Sequence, residues 1–160
     1  MEILSMIKNC MKTKVFSISS SATIRQAAAL SVEHHIGLVP VVDEQGKPIG
    51  IVRLGDLLSL ELPDFFKLLP DFDFVHDFGA VETNRPSPEE LDRPVTTLLQ
   101  PGIFVEETCG LLRAYALMVR HNLHDLPVIS EDGAFVGIAS RVDIGTAILS
   151  TWKTVTSSKL

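Results

Sequence analysis

A fixed offset runs through this chain. Pro40-Val41 and Pro127-Val128 stand 87 positions apart, and the same offset links Gly46 to Gly133, Gly50 to Gly137, Ile51 to Ile138 and Asp56 to Asp143. It also links Ala27 to Ala114, Leu30 to Leu117, Val32 to Val119 and His34 to His121. The segment ahead of these follows an offset of 88, Val15 to Ile103 and Phe16 to Phe104, so one residue is lost before the helix. This register predicts two copies of one supersecondary unit, related by a pseudo-twofold axis, with a cleft between them. A unit of roughly 50–60 residues buries too little apolar surface alone, so the copies are expected to share a core.

Local chemistry sketches each copy. Lys14–Ile18 reads as a short strand. Thr23-Ile24-Arg25-Gln26 fits a capping box that opens a helix running to about His35. Leu38–Val42 is an apolar, β-branched run, hence a buried strand. Asp43-Glu44-Gln45-Gly46 is turn chemistry, Pro48–Val52 completes a hairpin, and Leu54–Leu60 closes the unit as a helix. The second copy predicts a strand at Ile103–Val105, a helix at Leu111–Asn122, strands at Leu126–Ile129 and Phe135–Ala139, and a helix at Val142–Leu149. Leu111–Val119 is apolar almost all round, so it is expected to pack on its own sheet and on another subunit.

Between the copies lies Glu61–Pro94, which holds five of the eight phenylalanines, Phe65, Phe66, Phe72, Phe74 and Phe78. They alternate with Asp64, Asp71, Asp73 and Asp77, and Ser87-Pro88-Glu89-Glu90 looks like a helix start. A connection this long either packs on the domain's own surface or serves as a lid or docking segment. The chain thus divides into a first repeat (1–60), a connecting segment (61–94), a second repeat (95–150) and a tail (151–160).

Composition removes several function classes. A formal net charge of −6 leaves no basic excess for non-specific nucleic-acid binding, although a few local cations suffice for a small anion. The hydrophobic fraction of 46% points to apolar surface reserved for an oligomer interface. Cys10 and Cys109 form no CxxC and read as small core residues in a reducing, cytoplasmic compartment. No apolar run approaches ~20 residues, so no membrane span is expected, and the first ten residues do not read as a signal peptide. Gly46-Lys47 is followed by proline rather than continuing a phosphate loop, and G-x-S-x-G and H-E-x-x-H are absent. The chain is therefore not expected to be an enzyme.

The order strand, helix, hairpin with Pro-Val in its first strand, then Gly-apolar-apolar-x-x-x-Asp and helix, occurs twice. It is carried by Gly37–Asp43 with Gly50–Asp56, and by Asp125–Ile129 with Gly137–Asp143. It resembles the CBS domain pair, or Bateman module. Cys10–Val15 is similar to that family's opening segment. The resemblance implies an α+β fold of two tandem β-α-β-β-α repeats packed as a pseudo-twofold pair, commonly stacked through helices into a homodimer. It implies a regulatory module that binds an adenine nucleotide (AMP, ADP or ATP, or a related adenosyl ligand, with Mg²⁺ accompanying the phosphates) and signals to an effector protein. The alternative is a structural or docking subunit of an enzyme or transporter complex that binds no ligand.

Site candidates follow from that likeness and from local chemistry. Asp143 at a strand–helix junction can grip a ribose diol, with Ser140 beside it, although Ser-x-x-Asp is equally a capping box. In the first copy Arg53 replaces the hydroxyl residue and Asp56 is kept; Arg53 either forks a phosphate or pairs with Asp56 and closes the site. Asp56, lacking a hydroxyl partner, is expected to do more than cap. His121-x-x-His124-Asp125 is open to three readings: a solvated helix end, a metal cluster, or a phosphate contact through His124. The resemblance places Val15, Ile36, Leu38 and Val39, and Ile103, Leu123 and Leu126, against the adenine. Gly37 would admit close approach of a ligand to backbone, and Lys12, Lys14 and Arg141 are the cations best placed for phosphates.

Overall fold

Thr23 and Gln26 close the box their spacing predicts: Gln26 N donates to Thr23 Oγ1 (3.2 Å) and Thr23 N donates to Gln26 Oε1 (2.9 Å). Helix α1 (Ile24–His34) starts there. The fold around it comes from a computed structural model that describes residues 5–62 and 85–152. In the first repeat α1 is joined by β1 (Ile18–Ser19), β2 (Leu38–Val42), β3 (Pro48–Arg53) and α2 (Leu54–Leu58). A short helix, α3 (Pro88–Leu91), carries the predicted Ser87–Glu90 capping box. The second repeat comprises β4 (Val105–Glu106), α4 (Leu111–His121), β5 (Asp125–Ile129), β6 (Phe135–Ser140) and α5 (Arg141–Leu149). Phe65, Phe66, Phe72, Phe74 and Phe78, and the lid or docking role raised for them, lie outside the described residues.

Each repeat is a three-stranded sheet, β1-β2-β3 or β4-β5-β6, with the first strand parallel and the hairpin antiparallel. The pseudo-symmetry holds residue by residue. Ile18 pairs with Val41 and Val105 with Val128, and both hairpins shift register at the same point, after Val41 and after Val128. Both turns place glycine at positive φ, Gly46 at 80° and Gly133 at 87°. Both long helices end on a left-handed residue, His35 (φ 53°) and Asn122 (φ 52°). Asparagine tolerates that region through its short polar side chain; histidine at His35 is held there by the shared topology.

Two strand expectations shorten. Lys14–Ser17 and Ile103–Phe104 are not paired, because each leading strand meets only the far end of its neighbour, at Val41-Val42 or Val128-Ile129. The segments before them are committed elsewhere. Lys12 bridges Ile138 and Met6 bridges Gly110, while Gln100 bridges Ile51 and Pro94 bridges Thr23. Each pair maps onto the other under the 87/88 register, so the repeats exchange their leading segments. Ile7, fully buried, sits in the core of the second repeat with Val105, Met118, Leu126, Val128 and Ile144, and Cys10 and Met11 pack against it. Val95, also fully buried, sits in the core of the first repeat with Val41 and Val52, flanked by Leu98 and Leu99. The blocks 1–60 and 95–150 are contiguous in sequence, but each core borrows from the other block.

The crossing explains two glycines. A Cβ on Gly50 would stand 2.7 Å from the Gln100 carbonyl oxygen, and one on Gly137 would strike the thioether of Met11. The Gln100 carbonyl is fixed, since Ile51 N donates to it and Gln100 N donates back to Ile51 O, both at 2.9 Å. Methionine can swing aside. Gly50→Ala is therefore expected to cost about 1–3 kcal/mol and Gly137→Ala less, read as the shift of urea midpoint.

Helix α4 buries Leu111, Ala114 and Met118 but leaves Leu112 73% and Val119 58% exposed. Within one chain it is buried on one face only.

Candidate ligand clefts between the repeats

Two cavities open along the boundary of the repeats. The first, about 320 Å³, is walled by Lys12, Lys14, Val15 and Phe16, by Ile36, Gly37 and Leu38, and by Asp125, Phe135 and Ile138 of the second repeat. The second, about 340 Å³, takes Gly37, Leu38, Arg53, Leu54 and Gly55 from one repeat and His121–Asp125 from the other. The 87 offset carries Ile36, Gly37 and Leu38 onto Leu123, His124 and Asp125, so the clefts share one pseudo-symmetric wall, while Lys12, Lys14, Val15 and Phe16 of the leading segment wall the first alone. They share Gly37, Leu38 and Asp125 as wall residues. Gly37 offers an open face, because an added Cβ would meet no atom within 4 Å.

Asp143 and Ser140 do not line the first cleft; Asp143 touches it through the wall residue Lys12, whose Nζ lies 3.6 Å from Asp143 Oδ2. Ser140 and Asp143 do form the capping box: Asp143 N donates to Ser140 Oγ (3.0 Å) and Ser140 N donates to Asp143 Oδ2 (2.9 Å). Capping and ligand contact do not exclude each other. Both contacts use Oδ2, leaving Oδ1 and the Ser140 hydroxyl proton for a ligand.

Asp56 also takes a capping position. Arg53 N donates to Asp56 Oδ2 (2.8 Å), so this carboxylate caps α2 without a hydroxyl partner. Such a half box needs only a backbone N–H, which any residue supplies, and a guanidinium has no acceptor to return the bond. The ion pair raised between Arg53 and Asp56 is not formed; among the described residues no partner engages the Arg53 guanidinium, which lines the second cleft. Arg141 is spoken for. Its Nε donates to Leu123 O (2.5 Å) and its Nη2 to Asn122 Oδ1 (3.2 Å), so it latches the end of α4.

Other candidates fall elsewhere than their grouping implied. His124 is exposed and lines the second cleft beside Arg53, away from Asp143. Leu126 is fully buried in the core of the second repeat and Ile103 packs against that core; neither lines a cleft. Leu123 lines the second cleft, whereas Val39 is fully buried at 1% exposure. Among the described residues no group of three His, Cys, Asp or Glu side chains is placed to hold a metal ion.

Asp125 was not singled out as a wall residue, yet it is common to both clefts. Burial pushes its carboxyl above the ordinary range and Asp143 adds to this, while His124 and Lys12 pull the other way. The repeat register could have found it, since Asp125 is the counterpart of Leu38. Phe16 also escaped notice; its ring stacks on His34 at 3.6 Å and forms part of the first cleft. Burial, with the Asp143 charge behind it, pushes the Cys10 thiol up, which makes it a poor nucleophile.

A model of the CBS domain matches residues 7–62 and 93–150. The chain belongs to the CBS domain family, as a tandem pair. Among curated CBS proteins it is similar to CBSX1, a chloroplast protein of Arabidopsis thaliana, at 29% identity over 145 residues. That match covers 86% of this chain and 61% of CBSX1, so the chain spans less than two-thirds of that relative. Its fold matches CBSX2, of the same plant, crystallised in complex with AMP (TM-score 0.66, 24% identity, 91% of this chain and 96% of that one). It also matches the CBS domain of a bacterial CNNM/CorC family Mg²⁺ transporter in complex with ATP (TM-score 0.66, 22% identity, 92% of each chain). At these identities the structural likeness establishes the CBS-pair fold.

Proposed function

We propose that this CBS pair is a regulatory, non-catalytic module that binds an adenine nucleotide between its repeats and reports the occupancy to a partner protein. The observation that carries the reading is the first cleft. It combines apolar walls for a base (Val15, Ile36, Leu38), an open backbone at Gly37 and cations at Lys12 and Lys14, with the Asp143 carboxylate, one oxygen unused, 3.6 Å from the Lys12 ammonium. A volume of about 320 Å³ lies at the low end of ordinary ligand pockets, which run from roughly 300 to 1,000 Å³. The AMP and ATP complexes of structurally similar CBS proteins agree in ligand class. Base and ribose would lie along Val15, Ile36 and Leu38, the diol on Asp143 Oδ1, and the phosphate toward Lys14. Mg²⁺ would arrive with the phosphates. Because the leading segments cross between repeats, a ligand gripping both halves biases their relative position, and a partner senses this as a population shift.

Dimerisation has its own support. Val32 on α1, Leu112 on α4 and Val142 on α5 are 77%, 73% and 70% exposed. A homodimer packed through the helices would cover these apolar side chains. Among the described residues no helix is long and apolar enough to cross a membrane.

Calorimetry of nucleotide-free protein with AMP, ADP and ATP tests the reading, and heat from none of them would refute it. Asp143→Ala is expected to weaken binding about 10- to 100-fold, as for loss of a charge-assisted hydrogen bond pair. Asp56→Ala is expected to weaken it less, because the Asp56 side chain lines neither cleft; equal losses would reverse this ranking of the two carboxylates.

A further inference from the structure

Neither cleft holds a surplus of positive charge. In the first, Lys12 lies 3.6 Å from Asp143 and its charge also acts on Asp125, while Lys14 lines the same cavity. The second is lined by Arg53, His121, His124 and the same Asp125. The Asp125 carboxylate makes no direct hydrogen bond or ion pair among the described residues, and it stands where the two cavities meet. A ligand lying in either cleft therefore has this carboxylate in its wall.

We propose that Asp125 is a specificity residue that filters ligands by charge, admitting an adenosyl monophosphate and turning away di- and triphosphates. The inference rests on the nucleotide reading above. A negative charge about 6–8 Å from a half-buried carboxylate loses on the order of 1 log unit of affinity or more at an intermediate effective dielectric. The penalty grows with each added phosphate. Lys14 offsets a single phosphate; with Lys12 committed to Asp143, little remains for a second or third. Asp125 is half-buried, so water screens it less than it would a surface acid.

The test is calorimetry on the full chain, free of nucleotide, with AMP, ADP and ATP in the absence of divalent cation, on wild type, Asp125→Asn and Asp125→Ala. Wild type is expected to bind AMP at least about tenfold more tightly than ATP. Both variants are expected to close that gap, chiefly by tightening ATP. ATP binding to wild type as tightly as AMP, or an unchanged AMP-to-ATP ratio in both variants, overturns the charge filter while leaving the nucleotide site intact. Heat from no nucleotide with any of the three proteins takes down both proposals. Two variants of different size guard against a local packing effect being read as charge.

Discussion

Ile7→Ala is expected to loosen the second repeat rather than the first, although Ile7 belongs to the first repeat in sequence. Ile7 is fully buried among Val105, Met118, Leu126 and Ile144, and its N–H donates to Cys109 O at 2.8 Å. Truncating a buried isoleucine removes its transfer free energy and leaves a cavity, about 2–5 kcal/mol in all. Hydrogen exchange under native conditions locates the damage. Amides of β5 and β6 should lose more than about 30-fold protection, the equivalent of ~2 kcal/mol, with β2 and β3 losing less. Val95→Ala is the mirror experiment, with the loss falling on β2 and β3, because Val95 fills the core beside Val41 and Val52. Loss confined to β2 and β3 in the Ile7 variant would contradict the exchanged packing. The same crossing predicts that residues 1–62 alone do not fold: that fragment lacks Val95, Leu98 and Leu99 and leaves Ile7 without a core.

The local grammar of the fold is legible in the sequence, and the exchange is not. Thr23-x-x-Gln26, Ser87-x-x-Glu90 and Ser140-x-x-Asp143 all form the capping boxes their spacing predicts, because a cap is satisfied within four residues. Both hairpins fall where Gly46 and Gly133 require a turn. Which sheet Ile7 or Val95 packs on depends on contacts about a hundred or about forty residues away, and no local periodicity encodes that. The strands at Lys14 and Ile103 failed for a related reason. Their alternation is real, but an edge strand exists only as far as its neighbour offers free backbone, and here two residues do.

The site was read unevenly for a similar cause. Ile36, Gly37, Leu38, Lys14 and Val15 come together because they flank one strand start and one leading segment. Ile103 and Leu126, chosen as their counterparts, pack in the second core instead. Pseudo-symmetric backbones carry different side chains: Gly37 is matched by His124 and Leu38 by Asp125. Asp56 caps its helix without a hydroxyl at position 53, because its bond to Arg53 N needs no side chain there.

Gly37→Leu is expected to abolish nucleotide binding while leaving the fold as stable as before. Gly37 borders both clefts, and a Cβ there meets nothing within 4 Å, so the new side chain projects into the space proposed for the ligand. Its φ lies outside the left-handed region, so a leucine backbone is unstrained. Replacing glycine at such a position also restricts the unfolded chain, which adds about 0.4–1 kcal/mol of stability. The expected pair of results is an affinity for AMP reduced by about 100-fold or more, equivalent to ~3 kcal/mol, with a thermal midpoint equal to or above that of wild type. Gly50→Ala supplies the opposite signature, since there the added methyl meets a fixed carbonyl and the fold itself gives way. Undiminished AMP affinity in a folded Gly37→Leu protein would mean that the nucleotide does not cross the shared wall of the clefts, and would remove the ground for placing it between the repeats.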